Sequence, residues 1–125
     1  MNNYENNAYF WQKIDNIIIN SNFRLVYPKG SRNEEMDEII YPYDYGIYFD
    51  DANGLNTYHA HKHNDVSAIA VCVDIINKSF DVKILVGMEE EDFPIVMNFL
   101  NSMGFQKAVL LKRENTIPDW LNLDA

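Results

Sequence analysis

Three histidines, His59, His61 and His63, recur at every second position. On an extended strand, side chains at i, i+2 and i+4 share a face, and three imidazoles placed that way can ligate Zn²⁺ or Ni²⁺. Lys62, Asn64 and Asp65 surround them with turn-forming residues, so the register is expected to break and leave histidines of a solvent-exposed loop. The single cysteine, Cys72, lies inside the apolar run VSAIAVCVD, which implies a buried, inert thiol and excludes an intramolecular disulfide. Asp74 and Asp81 flank a short polar link, where Asp is favoured beside a hairpin turn. Tyr41, Tyr43, Tyr45 and Tyr48 recur as half-buried aromatic residues of a strand would. No Ser-His-Asp order, phosphate-binding glycine loop or dinucleotide fingerprint occurs.

The elements that must position these residues follow from hydrophobic period. Phe10, Trp11, Ile14, Ile17 and Ile18 recur at three- and four-residue spacing, predicting an amphipathic helix over 9–19. Short strands are expected at 23–27, 39–41, 47–49 and 55–60, with a tight turn at 52–54. The apolar runs 66–73 and 80–86 should be core strands joined as a central hairpin. Glu89 to Asp92 suit a helix amino terminus, Phe93, Val96, Met97, Leu100 and Met103 make its buried stripe, and Gly104 should stop it. A last strand is expected over 107–113. This order predicts an α+β domain on a small, closed or partly open β-barrel of five to six short strands with two flanking helices. The domain should span 1–114, leaving a tail, 115–125, whose Ile117, Trp120 and Leu121 can dock on the domain or on a partner.

Pro28 to Tyr58 read PKGSRN, then EEMDE, then IIYPYDYGIYFDDANGLNTY. That order of segments resembles the family I soluble inorganic pyrophosphatases over about residues 23–113, as a short branch without the family's long hairpin between the lysine loop and the YPxDYG strand. The resemblance implies a five-stranded barrel similar to an OB-fold. It also implies Mg²⁺-dependent hydrolysis of a phosphoanhydride, with carboxylates holding the metal and cationic groups absorbing charge.

Carried over residue by residue, the family motif D-x-D-P-x-D falls on Asp51, Asn53 and Asn56. The outer carboxylates of that motif ligate metal and the middle one activates water, so Asn53 removes the base, because an amide cannot take up a proton near neutral pH. Asp74, Asp81 and Lys83 match a retained Asp followed by D-x-K, and Tyr45 matches a phosphate-bonding tyrosine. The resemblance thus implies metal ligands at Asp51, Asp74 and Asp81, catalytic roles for Tyr45 and Lys83, and a loose phosphate-binding equivalent at Lys107. Val26 stands where the family has Glu, and Glu34, Glu35 and Met36 replace its K-Y-E.

Ten Lys and Arg against 19 Asp and Glu give a net charge of −9 over 125 residues. Such a surface repels phosphate backbones and anionic lipids, which argues against nucleic acid and membrane and favours a basic protein partner. The amino terminus lacks the basic and apolar regions of a signal peptide and no apolar stretch approaches a membrane span, so a cytoplasmic protein is expected. The leading expectation is a pyrophosphatase-like pseudoenzyme acting as an acidic binding module, of the immunity, antitoxin or regulatory kind, with Glu34, Glu35, Asp37 and Glu38 as its contact residues, joined by Glu89 to Asp92. The alternatives are an active Mg²⁺-dependent diphosphatase taking pyrophosphate or a related phosphoanhydride, and a non-catalytic binder of phosphate or a nucleotide.

Overall fold

The computed structural model describes residues 3–36, 38–49, 54–118 and 121. Helix α1 (Asn3–Ile19) leads into β1 (Asn22–Tyr27), β2 (Asp44–Phe49), β3 (Gly54–His59), β4 (Val66–Asp74) and β5 (Ser79–Val86), followed by α2 (Asp92–Asn101) and β6 (Gln106–Lys112). The strands form one six-stranded sheet in the order β1-β2-β3-β5-β4-β6. The class is α+β, as expected. β1 and β6 are edges, so the sheet stays open and the barrel is a loose one.

All pairings are antiparallel except that of β3 with β5, which joins Thr57, Tyr58 and His59 to Ile84, Leu85 and Val86 in parallel. The β4–β5 hairpin is central, as its continuous apolar runs require, because such strands are covered on both faces. On one face, Tyr48, Leu55, Ile69, Val71, Ile84 and Val86 pack against the α1 stripe of Phe10, Trp11, Ile14, Ile17 and Ile18. Ile14 is fully buried, which contributes about 1.5–3 kcal/mol. Ile117 and Leu121 complete that layer. Asn7 fastens the segment to α1: its Oδ1 accepts the Ile117 N–H at 2.9 Å and its Nδ2 donates to the Asn115 carbonyl at 2.8 Å. On the other face, Ala68, Ala70, Cys72, Tyr58 and Leu85 lie under Phe93, Val96 and Leu100 of α2.

Two local expectations are corrected. The strand expected over 39–41 is only a bridge between Arg32 and Ile40. Its hydrogen bonds go instead to the other arm of its own loop: Tyr41 N–H to Ser31 O at 3.0 Å, Asn33 N–H to Ile39 O at 3.0 Å, and Gly30 N–H to Tyr41 O at 2.8 Å. Helix α2 ends before Gly104, at Ser102, which keeps a right-handed conformation and donates its N–H to Asn98 and Phe99 carbonyls. Gly104 does not take up the left-handed conformation of a helix-ending glycine. The turn expected at 52–54 and Trp120 lie outside the described residues, Gly54 apart, although β2 and β3 do pair as a hairpin from Asp44–His59 to Phe49–Gly54. Among the described residues, no helix is long and apolar enough to cross a membrane.

Candidate functional site

On the α2 face, β2, β3, β5 and β4 build a common floor: Tyr45 opposite Tyr58, and Asp81 opposite Cys72, with Lys83 beside Ala70. The short Ala70 side chain leaves room for the lysine stem. The floor opens into a cleft of about 320 Å³, and Tyr45, Asp74, Asp81 and Lys83 all line it. Four residues singled out in the sequence, 38 positions apart at their extremes in the case of Tyr45 and Lys83, are therefore neighbours.

Lys83 is the electrostatic centre of the cleft. Its side chain is 16% exposed, and Nζ lies 2.7 Å from Asp81 Oδ2 and donates to Tyr45 Oη at 3.2 Å. Burial alone would lower the pKa of this ammonium, and Tyr45 and Asp81 outweigh burial, so it is raised and the group stays charged. Asp74, at the end of β4, is engaged by its own turn: Oδ1 accepts the N–H groups of Ile76 and Asn77 at 2.9 Å, and Oδ2 accepts Asn77 Nδ2 at 3.0 Å. These bonds, the Asn77 N–H first, hold its carboxyl below the usual range.

Aromatic rings build the wall. Tyr27 stacks on Tyr41 at 4.6 Å, Tyr41 on Tyr45 at 5.6 Å, and Tyr45 tilts against Tyr58 at 4.7 Å. Burial raises the pKa of Tyr41 and Tyr58, so both remain phenols near neutral pH. Asn33 donates to Tyr41 Oη at 2.9 Å, while its Oδ1 accepts the N–H groups of Glu35 and Met36 at 2.8 and 3.1 Å. That side chain fixes the turn on which exposed Glu34 and Glu35 stand, with exposed Glu38 following. Tyr58, Asn33, Gln106 and Phe105 belong to the cleft and were not singled out from sequence; the signal for Tyr58 was its alternation with Asn56 and Ala60 on a strand.

Asp51, Asn53 and Asp37 lie outside the described residues. Lys107 does not line the cleft. It is opposite Val73 in the β4–β6 pairing, and its neighbour Ala108 packs on the α2 face, so the two-residue period sends Lys107 to the other side. Val26 is exposed on β1.

Of the three histidines, His61 is the exposed loop residue expected and His63 lies half-buried in the same loop, whereas His59 departs from the expectation. His59 ends β3 and is only 3% exposed, and burial, with His61 adding, pushes its pKa down to about 4. The chain then leaves the strand, because His61 takes a left-handed φ of 61°. Its ring folds back to stack on His59 at 3.9 Å, and its N–H donates to His59 Nδ1 at 2.9 Å. His61 Nε2 lies 2.8 Å from Asp44 Oδ2 and His63 Nε2 lies 3.1 Å from the Met88 carbonyl. Among the described residues, no group of three or more His, Cys, Asp or Glu could hold a metal ion.

The cleft can therefore hold a small group by ring stacking, one ammonium and several phenol or amide donors. Burial pushes the Cys72 thiol up to about 11, so it supplies no nucleophile near neutral pH. Comparison with protein-family models, curated proteins and solved structures finds no match to this chain.

Proposed function

We propose that this chain is a pyrophosphatase-type domain without efficient hydrolysis that acts as an acidic binding module for a basic protein, blocking or regulating it as an immunity or antitoxin protein does. The observation that carries this reading is the placement of the acidic turn. Asn33 and Met36 line the cleft, and Glu34, Glu35 and Glu38 stand exposed on the turn that Asn33 braces. Carboxylates on a turn beside the cleft raise the cost of bringing in a phosphoanhydride and favour cationic side chains. Inside, the one lysine of the cleft is already engaged by Asp81.

The alternative, a Mg²⁺-dependent diphosphatase, is favoured by the convergence of Tyr45, Asp74, Asp81 and Lys83 in one cleft. Mg²⁺ needs oxygen ligands arranged octahedrally. Asp74 and Asp81 are the carboxylates available, and their oxygens serve Asn77, Ile76 and Lys83. The described residues thus do not assemble a ligand set for the metal.

The two readings separate in a phosphate-release assay with pyrophosphate and Mg²⁺. The expected result is trace release, since loss of general-base assistance alone removes about 10²–10⁴-fold. A turnover number within the usual range of about 1–10³ s⁻¹ would establish the diphosphatase instead. Any trace rate should disappear in Asp81→Asn; an unchanged rate would move the chemistry away from this cleft.

A further inference from the structure

A second groove, about 340 Å³ in volume, lies between the acidic turn and the carboxyl end of α2. Met36, Ile40, Phe99, Met103 and Phe105 give it an apolar lining, and Glu38 stands among them. Two of these apolar side chains are open to solvent, Met36 at 40% and Ile40 at 46% exposure. Apolar side chains gathered into one groove, rather than scattered singly, mark contact sites, and methionines in particular form adaptable contact surfaces.

The electrostatics of the groove select its occupant. Glu38 borders it and Glu34 and Glu35 stand on the same turn. Its other wall is the end of α2, where the helix dipole places about half a negative charge. The last turn of α2 holds no basic residue to offset that charge. The carbonyls of Phe99 and Leu100 are met by neutral donors, Ser102 Oγ at 2.6 Å and Gln106 Nε2 at 2.9 Å. Turn and helix end therefore add negative potential from two sides around an apolar floor. A second copy of this chain is disfavoured as occupant, because each carries a net charge of −9.

We infer that this groove docks a basic amphipathic segment of a protein partner, seating an apolar side chain between Met36, Ile40 and Met103 with flanking Lys or Arg against Glu34, Glu38 and the α2 carboxyl end. The inference rests on the reading of the chain as an acidic binding module and places that module's contact surface. The turn is pre-organised for the task, tied by Asn33 and by the bonds between its arms, so little ordering cost falls on binding.

The test is selection of random displayed peptides on the full chain, followed by methyl spectra of the Met- and Ile-labelled protein with the synthetic selected peptides. Selected peptides should carry Lys or Arg beside an apolar residue and should shift Met36, Ile40 and Met103 while leaving exposed Ile95 on α2 unmoved. The doubly substituted Glu34→Lys, Glu38→Lys and, separately, Ile40→Ser should each weaken binding by about tenfold or more. Both changes fall on exposed positions, so circular dichroism should show an unchanged fold. Selection of neutral or acidic peptides, or of none, overturns the inference. Basic peptides that bind but map to Glu89, Glu90 and Glu91 overturn the groove alone and leave the acidic-module reading standing, whereas enzymatic turnover of pyrophosphate removes the reading itself.

Discussion

Removing a single hydroxyl tests how the loop before β2 is locked to α2. Tyr43 Oη donates to Asp92 Oδ1 at 2.7 Å, both residues being buried, at 6% and 4% exposure. Asp92 Oδ2 accepts the Glu89 N–H at 2.8 Å and lies 2.9 Å from Lys62 Nζ. One carboxylate thus joins three segments at the start of the helix. In Tyr43→Phe the ring still fills its place, and the loss is that of a hydrogen bond to a charged acceptor, about 1.5–3 kcal/mol. For a domain of this size that corresponds to about 5–12 °C in melting temperature. The effect has a pH signature. Burial would raise the Asp92 pKa, but the Glu89 N–H, Lys62 and Tyr43 outweigh it and lower it from 3.8. A carboxyl with a depressed folded pKa stabilises fully above its unfolded value and loses that contribution as pH falls through the folded one. The gap between wild type and Tyr43→Phe should therefore be constant near neutral pH and narrow below about pH 4. Thermal melts across that range decide the matter: a substitution that moves the melting temperature by less than about 2 °C at pH 7 would refute the lock.

Gly46→Ala should destabilise by about 3 kcal/mol or more, because a Cβ there would overlap the Arg24 backbone carbonyl of the neighbouring strand, which cannot yield; a denaturant titration that gives wild-type stability would contradict the close approach. With its pKa at about 11, Cys72 should react with an aromatic disulfide reagent at pH 8 about a hundredfold or more slowly than in the unfolded chain, and equal rates would mean that the thiol is not buried. Stoichiometric Zn²⁺ should shift the melting temperature little, since His59, His61 and His63 are engaged with the backbone, Asp44 and Met88 rather than with one another as a ligand set; a large shift abolished by His61→Ala would require a metal site.

The elements that could be read from sequence are those with an uninterrupted period. The stripe of α1 and the runs of β4 and β5 are long enough for burial to dictate their structure, and they occupy the positions expected. The insertion of β5 between β3 and β4 was not legible, because a parallel ladder of three residue pairs leaves no local mark. Lys107 needed only the alternation of β6 carried through Ala108 and Leu110, both packed on the α2 face. His59 is a paired residue of β3, and the stacking of the His61 ring on it follows a left-handed backbone at His61, a conformation that residue type alone rarely foretells. Within the cleft, the YPYDYG segment pointed to Tyr45, while its glycine is required by the approach of β1, and Asn33 could not be linked to Tyr41 until the turn between them was closed.

That short parallel ladder divides the molecule into two halves along the chain. Residues through β3 can pair among themselves as soon as they leave the ribosome, whereas β4, β5 and β6 form their own antiparallel set. Domains are synthesised from the amino terminus, so the outer edge of β3 is open until residue 86 has emerged. An open edge is a template for foreign strands, and β3 carries apolar side chains on both its faces, Leu55 toward α1 and Tyr58 toward α2. The cleft straddles the same junction, with Tyr45 and Tyr58 on the early half and Asp81 and Lys83 on the late one. Any molecule held between those two pairs could bind only once the halves have met, and it would staple them together by stabilising the joined sheet.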